Sequence, residues 1–407
     1  MDKFFAVEDG DLIVKANAVA YVTGTTDASK NEFATHAEAI ASGAVRIITV
    51  DSAVTSGMIA HDGAEAVITG GTFDGTVSGG AITESDAKTW DDRSGDVSMT
   101  IEGGEFNKMV IGADRVVAGN TERIGDVNTV ITGGTFNSIV TGGMLYADQS
   151  LKGQALLTGD VNLTIAGGEF NKYIYGGNIT ATAAYSSRTA IDGDINITID
   201  AGSNAIAFNA GSMLVAGSYR QGVVDGNITV TLKGLSSNLI MDDTFQIWGG
   251  SSSDVYLDDA DRTFQTAVTG DRTFVFDGFE GEFAARIRGF EAIDIVGGSS
   301  VELTGGNLSD ISDWEFEAGS SLDGVFGNDF TGDTLEIDLG SWEDSSCDLM
   351  TGSASIFEGF DSLDAVIVGG ESLTYDGVSK WASSNYELEL KDGEDDQKVL
   401  AFTNKLA

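Results

Sequence analysis

The chain of 407 residues has no proline, one cysteine, two histidines, and 22 Lys+Arg against 64 Asp+Glu. Without proline, every backbone N–H is free to donate, which suits continuous β-ladders. The single cysteine, Cys347, excludes an intrachain disulfide framework and a thiolate zinc cluster. His36 and His61 leave little material for imidazole chemistry. The formal charge of −42 repels phosphate backbones and argues against a nucleic-acid partner. No apolar run approaches the ~18 residues of a membrane span, which argues against membrane insertion. The start, Met1-Asp2-Lys3-Phe4-Phe5, has neither the basic opening nor the long apolar core of a secretory signal. Phosphate loops, Ser/His/Asp arrangements and cofactor fingerprints are missing too. The chain reads as a non-enzyme.

What is there is glycine, 54 residues of it, and repetition. GDVSMTIEGGEFNKMVIG begins at Gly95, GDVNTVITGGTFNSIVTGG at Gly125 and GDVNLTIAGGEFNKYIYGG at Gly159. Weaker copies open at Gly193 and Gly226, so the steps are 30, 34, 34 and 33 residues. Within a copy, Val161-Asn162-Leu163-Thr164-Ile165 alternates apolar and polar residues, as a half-buried strand does. Glycine pairs then break the strand at corners where positive φ is tolerated. One copy supplies about three short strands and three bends. Alone it cannot bury its apolar side; stacked copies bury a continuous one.

The expectation is an all-β chain, a right-handed parallel β-solenoid with coils of about 33 residues and a short N-terminal capping helix. Stacking would align Phe73, Phe106, Phe136 and Phe170, followed by an asparagine ladder of Asn107, Asn137 and Asn171. The helix is expected over 29–43, with capping-box spacing at Ser29 and Glu32 and an apolar stripe of Phe33, Ala37 and Ile40. Three regions follow: 1–50 with N-terminal strands and cap, 51–250 with regular repeats, and 251–407 as an irregular continuation. The last part is expected to end in a hairpin across Asp392-Gly393.

The VxxTIxGGxF…GG copies, with the helix before them and the GF…IVGG segments at Gly289 and Gly359, resemble right-handed parallel β-helix proteins of bacterial surfaces. The similarity is to autotransporter-passenger and adhesin repeats, good over 29–250 and loose over 270–407. It implies display on the bacterial cell surface or outside it, and a structural or adhesive role. It also implies a second possibility, a glycan-binding or polysaccharide-degrading β-helix. For a degrading enzyme, Ala60-His61-Asp62-Gly63 and Arg286-Ile287-Arg288 are poor matches.

Three sets of residues stand out. In-register stacking would align Asp96, Asp126, Asp160 and Asp194 about one strand spacing apart. Like charges that close must bond their own turn N–H groups, fall out of line, or share a cation. Ca²⁺ is the one cofactor this column could take. Tyr173, Tyr175, Tyr219 and Trp248 are the aromatics to expect at a glycan surface. Phe4, Phe5, Val7, Leu12 and Val14 form strand-like segments that could pair with a neighbouring copy. Partners are therefore expected to be a second copy or a surface glycan.

Overall fold

The computed structural model describes residues 65–80, 82–84, 90–146, 154–180, 189–219, 222–250, 268–304, 308–309, 311–325, 332–340, 344–393 and 397–407. It also describes the backbone of five earlier strands, Phe5–Glu8, Asp11–Val14, Val19–Thr23, Arg46–Thr49 and Met58–Ala60. The expected helix at 29–43, Phe4, His36 and His61 lie outside the described residues.

The chain is a parallel β-solenoid. One full coil runs through five short strands: Val97–Ile101, Glu105–Phe106, Val110–Ile111, Arg115–Ala118 and Asn120–Ile124. We call the sheets they build the first to fifth faces. The sequence suggested three sides, because the residues after the second glycine pair vary too much to show a strand pattern. They contribute the fourth and fifth faces.

Register is kept from coil to coil. On the first face Val97 pairs with Val127, Val127 with Val161, Val161 with Ile195 and Ile195 with Ile228. Inward positions are fully buried, and alternate positions face solvent. The second face stacks Phe73, Phe106, Phe136, Phe170, Phe208 and Phe245, with ring centroids 4.3–5.6 Å apart. Beside them the asparagines form a directional ladder. Asn209 donates to Asn171, Asn171 to Asn137, Asn137 to Asn107, and Asn107 to the Asp74 carboxylate, at 2.7–3.0 Å. Asp74 ends the series because a carboxylate only accepts.

Two glycine roles differ. Gly104, Gly134 and Gly168 have φ of 107–119°, where glycine is favoured. Gly112 has no positive φ; a Cβ there would lie 2.1 Å from the carbonyl oxygen of Gly142. That second pair is needed for close approach between coils, not for the bend itself.

After Trp248 the cross-section shrinks. Arg272–Phe283 is one long strand whose two ends pair with two successive strands, Ala292–Val296 and Ser300–Leu303. First-face partners Phe274, Ile293, Trp314 and Leu335 are 19, 21 and 21 residues apart. A single buried cluster runs from Ala66 to Phe402 through both parts. The C-terminal end is antiparallel: Ser346–Ser353, Gln397–Asn404, Tyr386–Asp392, Lys380–Ala382 and Thr374–Tyr375 pair in that order.

At the other end Phe5–Glu8 pairs antiparallel with Asp11–Val14, which joins Met58–Ala60 of the third face. Phe5, Val7, Leu12 and Val14 thus lie in a hairpin of the chain itself, with Phe5–Glu8 as the outermost strand of that sheet. Val19–Thr23 lies between Arg46–Thr49 and Glu65–Ile68 on the first face.

Candidate functional site: an aromatic corner on the outer surface

On the third face both alternate residues are buried. Val110, Val140, Ile174 and Leu214 point into the core. Ile111, Tyr175 and Val215 point outward, yet they are covered by Leu145 and Ile179 of the fourth face. The fourth face therefore folds back on the outer side of the third, leaving a re-entrant corner with its own apolar filling. Met109, Ile139, Tyr173, Met213 and Tyr219 line its partly open rim.

Three of the four expected aromatics meet here. Tyr175 lies 6.1 Å from Tyr173 and 5.1 Å from Tyr219, centroid to centroid. Tyr175 itself is 1% exposed, so it supports the other two and does not reach solvent. Trp248 continues the column: Tyr175 pairs with Val215, and Val215 with Trp248. The guanidinium of Arg288 sits over the Trp248 ring at 5.6 Å, a cation–π distance. Trp248 Nε1 donates to Gln246 at 3.2 Å. Half-exposed aromatic faces with a nearby planar cation can stack on apolar ring faces and bond hydroxyl groups at their edges.

The aspartate column is in register, and its members are bonded otherwise than by their own turns. The Asp96 carboxylate accepts the backbone N–H of Asp126 at 3.0 Å, Asp126 that of Asp160, Asp160 that of Asp194, and Asp194 that of Asn227. The preceding glycine turns away from sheet geometry at each corner, so the side chain accepts the next coil's N–H there. This is a structural ladder that gives each carboxylate a backbone donor from the next coil. Among the described residues no three His, Cys, Asp or Glu side chains converge in a way that could hold a metal ion.

Two constellations were not foreseen. Asp114 and Arg123 are fully buried and form a two-pronged ion pair, with Arg123 Nη1 also donating to the Gly95 carbonyl at 3.0 Å. The second is a carboxylate row on the outer side of the first face, where Asp294 pairs with Glu315 and Glu315 with Glu336. Burial, then the charge of Glu315, pushes the Asp294 carboxyl up to about 7. Burial, then Glu336 and Asp338, raises Glu315. The signal for this row was Ile-Asp-Ile, Trp-Glu-Phe and Leu-Glu-Ile, one acid between two inward residues in each of three strands. Cys347 is half-buried beside the core, and burial raises its thiol pKa.

No helix among the described residues is long and apolar enough to cross a membrane. No family model, curated protein or solved structure matches the chain.

Proposed function

We propose that the chain is a non-enzymatic structural or adhesive rod that works outside the cell, at a bacterial surface. The observation that carries this reading is the unbroken register of the phenylalanine, asparagine and aspartate ladders. They fix the coils into a stiff scaffold. The repeat resemblance to autotransporter-passenger and adhesin proteins, and the scarcity of cysteine beside abundant Gly, Asn, Thr and Asp, support the extracellular setting. The antiparallel strands that close the C-terminal end weigh against a filament built end to end, although at the N-terminal end only the third face ends antiparallel and the first ends on the parallel strand Arg46–Thr49. They favour a rod that engages partners through its sides. Electron microscopy of the purified chain, with and without Ca²⁺, should show separate rods in both conditions. End-to-end filaments would overturn the preference for lateral contacts and make the ends the working surfaces.

A second reading is glycan binding at the aromatic corner, favoured by Trp248 under Arg288 and by the rim of Tyr173 and Tyr219. The charge of −42 points to neutral glycans. Titration of a neutral-oligosaccharide panel should reveal binding that Trp248→Ala and Tyr219→Ala each weaken tenfold or more. Silence across the panel, or binding indifferent to both changes, would remove this reading.

A further inference from the structure

The outer side of the first face changes character along the rod. One margin carries the outward charges Asp200, Lys233 and Asp277, the last two in an ion pair, and beside it two central columns of outward residues run over six successive strands. One is Ser98, Asn128, Asn162, Asn196, Thr229 and Thr273; the other is Thr100, Val130, Thr164, Thr198, Thr231 and Val275. None of these twelve is charged, in a chain with 86 charged residues. The asparagine amides bond along the column, Asn162 to Asn128 and Asn196 to Asn162 at 3.0–3.1 Å, which holds them flat. Repulsion between stacked like charges does not by itself explain the neutrality. On the next three strands the second column carries Asp294, Glu315 and Glu336 one above another, and the first carries Ala292, Asp313 and Thr334. Charged side chains on exposed sheets oppose unwanted association, and here the two central columns lack them over one half only.

We propose that the neutral half of the first face is the contact surface for a second copy of this chain, packed face to face with the two rods antiparallel. This goes beyond the structural or adhesive reading, which needs no dimer. A two-fold axis across the middle of the neutral strip places Asn162 of one copy near Asn196 of the other and makes the contact self-complementary. Identical ladders of Asn, Thr and Val from two sheets can interdigitate as a dry zipper. The antiparallel sense follows from charge. Parallel rods would trap the two carboxylate rows between the sheets, whereas antiparallel rods send them to opposite ends. The antiparallel sense does bring the two aspartate columns to one rim. Sheets pack ~10 Å apart, about a Debye length at 0.1 M salt, so that repulsion is screened.

The strip spans six strands at ~4.8 Å and five residues at ~3.3 Å, about 450–500 Å² per copy. That is roughly 1,000 Å² in total, the lower bound for a specific interface, so the dimer is a weak one.

Analytical ultracentrifugation of the full chain from ~1 to ~500 µM, in low and moderate salt, tests this. The expected result is a reversible monomer–dimer equilibrium that tightens as salt rises. Thr164→Glu with Thr198→Glu should weaken it at least tenfold while circular dichroism stays native. If that variant misfolds, Thr231→Lys alone serves the same purpose. Glu315→Gln with Glu336→Gln should leave the equilibrium within about twofold. A monomer at every concentration, or a dimer indifferent to changes in the neutral strip, overturns the proposal. So does a dimer that tightens strongly when Glu315 and Glu336 are neutralised, since only the parallel arrangement predicts that.

Discussion

Asp114 and Arg123 occupy positions that the next coil fills with apolar residues, while the preceding coil sets Arg93 beside Arg123. Their register places Met144 and Leu157 directly on the next rung, both fully buried. The next coil thus carries a hydrophobic pair where this one has an ionic pair. Such a pair is weak evidence of stabilisation, but breaking it is costly because the surviving charge stays buried. Asp114→Ala is expected to lower unfolding free energy by about 3–5 kcal/mol. The double change Asp114→Met with Arg123→Leu copies the next rung and should recover most of that loss. Urea denaturation of the two variants measures the difference. A single variant no worse than the double would mean that solvent reaches Arg123 when its partner is removed. The phenylalanine ladder sets a second residue-scale expectation. Phe136, stacked between Phe106 and Phe170, should cost about 3–5 kcal/mol when cut to alanine, since its neighbours are held by their own strands and cannot collapse into the gap.

Among the elements, the carboxylate row makes the C-terminal coils sensitive to pH. The carboxyl of Asp294, held near 7 in the folded chain, titrates at about 3.9 when unfolded. Between those values the folded chain keeps a proton that the unfolded chain has released, so stability falls as pH rises through this window. The antiparallel end has the opposite slope. Glu387 is lowered, first by the hydrogen bond from Lys380, and Asp376 is lowered, first by the Val378 N–H. Their contribution is lost on acidification below the ordinary carboxylate range. Melting temperature is therefore expected to decline from pH 5 to pH 8, and Asp294→Asn should flatten that decline. An unchanged slope in the variant would assign the pH dependence to other groups.

The same elements show which features were legible in the sequence. Period, register and both aromatic and amide ladders could be read because each coil repeats the same residue at the same offset. Phe208 and Phe245 escaped because their flanking residues had drifted from the GGxFN pattern. The fourth and fifth faces escaped for a related reason: strands of two to five residues beside variable loops carry no recognisable alternation. The aromatic corner was legible residue by residue but not as a place. That Tyr175 is a buried wall and Tyr173 a rim follows from the fourth face folding back, which no local pattern encodes. The aspartates were recognised as a column. Their bonding to the next coil depends on where each backbone N–H points after the glycine, which only the assembled coils define.

For the molecule as a whole, the ladders make one coil interchangeable with another. Asp126 offers its carboxylate to Asp160 in the same way that Asp160 offers its own to Asp194. Removing residues 159–192 would join Thr158 to Gly193, and Asp126 would then meet the N–H of Asp194, Asn137 the amide of Asn209. Such a shortened chain is expected to fold cooperatively, with lower stability because one coil interface is gone. Small-angle scattering should find it shorter by one strand spacing, ~4.8 Å. Length in this protein is then a digital quantity. Duplication or loss of a whole coil resets the reach of the rod in fixed increments and leaves its inner ladders continuous. Evolution could tune how far it extends without redesigning how it folds.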